Sequence, residues 1–475
     1  MAVPVQTDPE WLRARLTAWL GDHPPRLGAS RPSGAGGDPD AGGGSAGPNP
    51  STAVETAAAR WELGTPRTTG DQGLSGELVR VEAHRIAVDG ARAAWPLVVR
   101  FAPRRYRLYP WDRFADECRL VEILARHSDV PVPPVYGYEL DPAVLGAPFL
   151  VMGLVDGQVP PDIPPYHMGG FPSELPPDAQ ARVWDAGLVA MALVHRLDPG
   201  VLGVRFAARL PDEPQSSQPS QPSRLPQQRE HEPEPATPGQ QTAPPESMLG
   251  QLASYERHLD FFAPADDTAE TVQAAGAWLR AHPPAERHPP RLLWGDARLG
   301  NLIFQGERVA ALLDWEMMSI GQPESDLAWY LYMDRYLGEG VGATPLPGLP
   351  GRGATVRRYA ELLGRPLDDL GPYLLFASVR HTLLAARVTR LIREHGLLPA
   401  DQVPPMDRYS ADLLTRVLAE TRDPDEPRPP HLARHPYRAP EQQGHDGAEP
   451  VARNQVAGDG ADGVSPAESK ADRSG

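Results

Sequence analysis

Cysteine is nearly absent from this chain. Cys118 stands alone among 475 residues, which excludes an intramolecular disulfide framework and any zinc site built on paired thiolates, and fits a reducing compartment. No run approaches roughly eighteen consecutive apolar residues, the length that would read as a membrane span. The stretch Met1 to Glu10 lacks the basic start and apolar core of a secretion signal. The expected location is the cytoplasm, with no membrane partner. Positive charge is also short: 46 Lys and Arg against 62 Asp and Glu leave a formal net charge of -16. Nucleic-acid affinity comes mainly from neutralising phosphates with basic side chains, so this balance argues against that partner and reads first as solubility. No fixed-period repeat is present, which disfavours a solenoid or propeller.

What the chain has in excess is proline and glycine, 57 and 45 residues, so much of it cannot sit in helix or strand. Apolar residues still make up 40%, enough for a sizeable core. Between Asp8 and Leu20, the positions Trp11, Leu12, Leu16, Trp19 and Leu20 recur at helical spacing and predict a short amphipathic helix ending at Gly21. Residues 24–58, crowded with Gly, Pro, Ala and Ser, read as a disordered linker. From Arg60 to Phe101 short Val-rich stretches alternate as strands do. A helix from Trp111 to Arg126 follows, with Phe114, Cys118, Val121, Leu124 and Ala125 as its apolar stripe, and then strands at Val135 to Glu139 and Phe149 to Met152. After Pro177 the pattern turns helical, most clearly at Ala179 to His195, Leu370 to His395 and Tyr409 to Glu420. A small sheet-rich half thus precedes a larger helical half. The expected division is a terminal helix at 1–23, a sheet lobe at 59–155 and a helical lobe at 156–421. An insert at 211–246 and a tail at 422–475, poor in large apolar residues, read as disordered.

The specific signal lies between Leu292 and Trp329. An apolar approach ends at Gly295-Asp296, Asn301 follows five positions later, a strand runs through Leu302 to Phe304, Gln305-Gly306 turns, and a second strand delivers Asp314. That is a hairpin presenting three polar groups at one end. Moving the γ-phosphoryl group of ATP needs a carboxylate to orient the acceptor hydroxyl and take its proton, and oxygen ligands for Mg²⁺ on the phosphates. Asp296 suits the first role. A carboxamide oxygen from Asn301 and a carboxylate from Asp314 suit the second, because magnesium is a hard cation. The spacing of Asp296 and Asn301 equals that of the catalytic Asp and metal-binding Asn of protein kinases.

This stretch, with Asp314-Trp315-Glu316 and then Gly321, Pro323 and Asp326-Leu-Ala-Trp329, resembles the catalytic loop and metal-binding segment of the aminoglycoside phosphotransferase family. Arg298-Leu-Gly-Asn301 is similar to the kinase-like domains associated with acyl-CoA dehydrogenases. The resemblance covers roughly Arg60 to Glu420. It implies an α+β, bilobal, protein-kinase-like fold, with an N-terminal antiparallel sheet lobe and a larger helical C-terminal lobe clamping ATP between them. It also implies an ATP- and Mg²⁺-dependent phosphotransferase acting on a hydroxyl of a small molecule, with Asp296 as catalytic base and Asn301 and Asp314 as metal ligands. By the same resemblance Arg100, in Val98-Val99-Arg100, takes the place of the lysine that pairs the phosphates, with Glu117 as its orienting carboxylate. The run Gly146 to Met152 leads to a hinge at Gly153 to Val155, and the cluster Gly70, Gly73 and Gly76 folds over the phosphates.

Each assignment has a plainer counterpart. Arg100 at the end of an apolar strand is equally a solvated residue. Arg298 either touches a substrate carboxylate or phosphate or holds the loop by a salt bridge. Trp294 reads as packing beneath the loop with its indole N–H as a donor, Asp326 as an acceptor for backbone groups of the catalytic region, and His195 as a packed core histidine. The competing class is a nucleotide-binding scaffold that has lost catalysis. A protein kinase is a third reading, which lacks a recognisable activation segment after Asp314. The acceptor and the oligomeric state are not legible in the residues.

Overall fold

The structure, a computed structural model, describes residues 8–23, 60–68, 77–103, 106–208 and 247–422. All of them fall in one compact unit, Met1–Tyr437; the second unit, Arg438–Gly475, lies outside the described residues. So do Gly70, Gly73 and Gly76, the linker 24–58, the insert 211–246 and the tail from 423 onward. Among the described residues no helix is long and apolar enough to cross a membrane.

The N-terminal lobe is built on antiparallel strands. β1 (Arg60–Leu63), β4 (Ala83–Ile86) and β5 (Arg92–Ala94) form one sheet in the order β1-β4-β5. β2 (Arg67–Thr68), β3 (Glu77–Val81), β6 (Leu97–Phe101), β7 (Val135–Glu139) and β8 (Phe149–Gly153) form a second in the order β2-β3-β6-β8-β7. Successive side chains of a strand point to opposite faces. In β6 that rule sends Leu97, Val99 and Phe101 into the lobe's core and leaves Val98 and Arg100 on the other face.

Helix α1 (Pro9–Asp22) starts where the Asp8 side chain accepts from Glu10 N–H. It belongs to this lobe's core and is no separate unit. Leu12, Leu16, Trp19 and Leu20 are buried with Trp61, Val99, Phe149 and Val151, and the Trp19 ring meets Phe149 at 5.1 Å. Each fully buried side chain of this kind contributes about 1.5–3 kcal/mol. Trp11, expected on the buried stripe, is 40% exposed, because the sheet is covered by the face carrying Leu12, Leu16 and Trp19.

Helix α2 (Phe114–His127) follows β6. Acidic Asp116 and Glu117 occupy its first turn and basic Arg126 and His127 its last, the arrangement the helix dipole favours. Its stripe of Phe114, Cys118, Val121 and Leu124 is buried, with Ala125 at the half-buried margin, and joins the larger, C-terminal core.

That second core is held by α3 (Pro177–His195), α4 (Met248–Arg257), α5 (Asp266–Ala281), α6 (Glu324–Leu337), α7 (Arg352–Leu363), α8 (Gly371–Glu394) and α9 (Met406–Arg422). Between α5 and α6 lie four short strands: β9 (Arg291–Leu293), β10 (Leu302–Gln305), β11 (Arg308–Leu312) and β12 (Ser319–Gly321). The result is the two-lobed α+β arrangement expected from the sequence. The strand after the hairpin turn ends at Leu312, so Asp314 sits in the following loop and not on the strand.

Candidate active site

Two antiparallel pairs bring the polar residues together. β9 pairs with β12 so that Leu293 faces Ser319, and β10 pairs with β11 so that Leu302 faces Leu312. The chain leaves β9 into Trp294-Gly295-Asp296, and passes from β11 through Leu313-Asp314 into β12, so both turns emerge at adjoining strand ends. Leu313 N–H donates to the Asn301 carbonyl at 2.9 Å, which closes the junction. Gly295 adopts φ +92°, and a Cβ there would lie 2.0 Å from the Met317 carbonyl oxygen. Only glycine lets the two turns approach this closely.

Asp296 is 8% exposed. Its Oδ2 accepts from Asn301 Nδ2 at 2.7 Å and Arg298 Nε at 3.1 Å, and its Oδ1 from Trp329 Nε1 at 2.7 Å. A carboxylate offers about four acceptor positions; three are taken, which leaves one for an incoming hydroxyl. Burial pushes the Asp296 carboxyl up, but the Arg298 guanidinium and the bonds from Arg298, Trp329 and Asn301 outweigh it and hold the group below its ordinary value. Asp296 is therefore ionised at neutral pH.

Asp314 lies across the same cavity, which Asp162, Arg298 and Glu316 also line. Its φ of +58° is rare for a residue with a side chain, and such conformations concentrate at functional sites. Burial drives its carboxyl up to about 6, against the pull of Arg100 and with repulsion from Asp296 and Glu117 adding to the rise. Glu316 is pushed up as well, first by burial and then by Asp314.

Arg100 and Glu117 meet at the back of this arrangement. Arg100 Nη1 donates to Glu117 Oε1, and its Nη2 stands 3.5 Å from Asp314 Oδ1. Glu117, 2% exposed, also accepts from Trp315 N–H at 3.2 Å. One buried carboxylate thus ties α2 to the β6 arginine and to the Asp314 loop. Arg100, with 14% of its side chain exposed, is no solvated strand end.

The remaining residues singled out in the sequence have defined places. Arg298 is engaged by Asp162 Oδ2 and Asp296 Oδ2, the geometry of a loop-holding salt bridge, while its side chain still lines the cavity. Trp294 is fully buried and donates to the Leu313 carbonyl at 2.8 Å. Asp326 accepts from the backbone N–H of Trp294 at 2.7 Å and of Gly295 at 3.0 Å. In the stretch that the resemblance made a hinge, Gly153 N–H donates to the Pro134 carbonyl at 2.8 Å and Leu154 N–H to the Pro96 carbonyl at 3.0 Å.

Several contributors had no signal in the sequence. His195 is a buried histidine, as expected, yet it also holds the site: Nε2 bonds Asp326 Oδ2 at 3.0 Å and Nδ1 lies 2.5 Å from the Tyr359 hydroxyl. Asp162, which anchors Arg298, carries no recognisable spacing, and Trp329, which anchors Asp296, carries little. Arg380 Nη2 donates to the Gly295 carbonyl at 3.2 Å, and its guanidinium lies 4.6 Å from the Trp329 ring centroid. Only the Asp326-Leu-Ala-Trp329 stretch gave a hint, because it placed Trp329 one helical turn after Asp326.

Comparison with known proteins bears on the family and the fold. Probable acyl-CoA dehydrogenase IBR3 of Arabidopsis thaliana is 24% identical over 276 residues, 53% of this chain and 27% of that protein. Acyl-CoA dehydrogenase family member 11 of Homo sapiens is 39% identical over 70 residues, 14% of this chain and 9% of that protein. The chain thus matches only a minor part of the length of these relatives. A crystal structure from Ralstonia eutropha JMP134, provisionally described as an aminoglycoside phosphotransferase, has a TM-score of 0.56 at 18% identity, covering 86% of this chain and 98% of its own; that likeness shows the kinase-like fold. The model of the phosphotransferase enzyme family matches residues 80–362, a span that takes in β6, α2, both loops and Asp326, and the chain belongs to that family.

Proposed function

We propose that this protein transfers the γ-phosphoryl group of ATP to a hydroxyl of a small molecule, with Mg²⁺ bound at Asn301 and Asp314. The observation that carries the reading is the Asp296 carboxylate, ionised, fixed by three donors and left with one acceptor position on a cavity that Asp314 shares. In this reading 59–155 is the nucleotide clamp and 156–421 supplies the acceptor side.

The donor set fits a magnesium ion. Asn301 and Asp314 offer oxygens, and four carboxylates line the cavity against one arginine, a surplus of negative charge that a divalent cation relieves. Among the described residues no group of three or more His, Cys, Asp or Glu could hold a metal by itself. Magnesium is commonly held by one or two protein groups plus substrate phosphates, so two ligands suffice. When bound, the ion would neutralise charge on the phosphates.

The chain's own residues do the rest. Asp296 orients the acceptor hydroxyl and takes its proton while the acceptor oxygen bonds to the γ-phosphorus. The bond from that phosphorus to the β,γ-bridging oxygen breaks and ADP leaves. Arg100, held by Glu117, presents a fixed guanidinium to the phosphates. Arg298 and Trp329 keep Asp296 from turning away.

Titration with MgATP tests the reading. At a nucleotide concentration 100 times Kd the folded state gains about 2.7 kcal/mol, read as a rise in Tm, and incubation with a metabolite panel should yield products heavier by one phosphate. A rise in Tm without any transfer would favour the scaffold alternative; no rise at all would refute nucleotide binding. Arg100→Lys tests the clamp. A lysine keeps the charge but loses the fork shared by Glu117 and Asp314, so KM for ATP should rise roughly fivefold, about 1 kcal/mol, with a smaller change in kcat.

A further inference from the structure

We infer that the acceptor carries its hydroxyl on an uncharged, largely hydrocarbon body, seated between α6, α8 and α9. The inference rests on the phosphotransferase reading for the direction of transfer, but its structural basis is separate: the polarity of the cavity beyond Asp296.

That cavity measures about 270 Å³, near the lower end of small-molecule sites. Its charged lining, Asp162, Asp296, Arg298, Asp314 and Glu316, comes entirely from loops around the catalytic turn. The opposite walls are helical. Trp329, Met333, Tyr336 and Leu337 line it from α6, and His381, Leu384, Ala385 and Val388 from α8. Both sets recur every three or four residues, so each is one continuous helix face. Met406 and Tyr409 of α9 close the far side. Among the described lining residues, none from these three helices is Asp, Glu, Lys or Arg.

The faces are graded along their length. Trp329 holds Asp296 directly and marks the reacting end, while the His381 ring lies 6.1 Å from Trp329 and 4.1 Å from Tyr336, centroid to centroid, and so faces further along the α6 wall. Leu337 lies about two turns beyond Trp329 on α6, and Val388 about two turns beyond His381 on α8, roughly 10 Å or more by helical rise. A molecule that places a hydroxyl on Asp296 therefore extends its remainder over methyl and methylene groups. The polar groups on these walls are uncharged: the hydroxyls of Tyr336 and Tyr409 and the His381 imidazole. His381 Nδ1 meets the Ser410 hydroxyl at 2.8 Å, which leaves Nε2 for the ligand. Burial pushes this imidazole down to about 3, so it stays neutral and adds no charge to the pocket. A polycation could meet carboxylates only at the loop end of the cavity, and any ammonium groups along the helical walls would lose water without a charged partner there.

In the transfer, the acceptor oxygen forms the new bond to the γ-phosphorus, its proton passes to Asp296 and on to solvent, and ADP departs with the bridging oxygen. The hydrocarbon body takes no part in the bond changes and contributes binding alone.

The test uses the full chain with 1-octanol, 1-butanol and kanamycin as probes, read by thermal shift and by phosphate transfer from ATP. Octanol should raise Tm, and its kcat/KM should exceed that of butanol at least tenfold, since each buried methylene gives roughly a fourfold gain. Val388→Trp and Leu384→Phe fill the cavity from one face of α8. Each should abolish the octanol shift while preserving the MgATP shift, which also reports that the variant is folded. A shift or transfer with kanamycin and none with octanol overturns the inference, as does an octanol shift unchanged in both variants. If octanol binds as described but MgATP gives no shift, the phosphotransferase reading fails and the pocket assignment stands.

Discussion

Asp314→Ala is expected to lower turnover by roughly a thousandfold or more, about 4 kcal/mol of transition-state stabilisation, in a protein that remains folded. The carboxylate lines the cavity, and Arg100 Nη2 stands 3.5 Å from its Oδ1. Its loss removes one of the two oxygen ligands proposed for the cation and leaves the Asp296 network intact. Asp296→Asn should reach a similar end by another route. The amide cannot accept the hydroxyl proton, so kcat should fall by about 10² to 10⁴ while the MgATP-dependent Tm rise persists. Asp314→Ala should lose that magnesium-dependent rise as well. Steady-state kinetics and thermal shift on the two variants separate the roles, and undiminished ATP-dependent transfer in Asp314→Ala would exclude the metal assignment.

The same residue makes a prediction about stability with the opposite sign. Burial raises the Asp314 carboxyl to about 6, above the value near 3.9 of an unfolded chain. The folded protein without metal therefore holds this proton more tightly than the unfolded chain does. Stability from this group is fully present below about pH 4 and is lost as pH rises through about 6. At pH 7, Asp314→Asn should stabilise the metal-free protein by about 1–3 kcal/mol, and the gain should vanish near pH 4. Urea denaturation at both pH values checks it. A residue that costs stability in the empty protein is one whose retention is explained by function.

Asp326→Ala should be the most damaging substitution for the fold of the site. The side chain is 1% exposed and accepts from Trp294 N–H, Gly295 N–H and His195 Nε2. Removing it strands three buried donors at about 1–3 kcal/mol each, so a loss of at least about 3 kcal/mol is expected in chemical denaturation. Activity should fall with it, because the two backbone donors belong to the turn that delivers Asp296. Asp326→Asn should fall between, since an amide supplies one acceptor oxygen and turns an N–H toward the second donor. Equal stability of Asp326→Ala and the parent protein would refute the role.

Much of this was legible before the coordinates. The family resemblance of Val98-Val99-Arg100 and of Glu117 paired these two residues in advance, and Arg100 Nη1 does donate to Glu117 Oε1. The spacing of Asp296, Asn301 and Asp314 pointed to phosphoryl transfer, which asks for those groups in that order along a loop and a hairpin. The strand assignment for Asp314 missed by two residues, since a left-handed turn after a strand leaves no mark when the residue is not glycine.

Chain order and local periodicity, then, determined the sheet-rich and helical halves, and one loop and hairpin singled out Asp296, Asn301 and Asp314, because each of these is written within one element or one short loop. Tertiary structure alone decided that Glu117 also grips Trp315 N–H, that Asp326 and His195 brace the catalytic turn, that Trp329 locks Asp296, and that the cavity beyond is walled by apolar faces of three helices. Those contacts join residues from about 30 to 200 positions apart, and no repeating pattern encodes a pairing that arises only when separate elements pack.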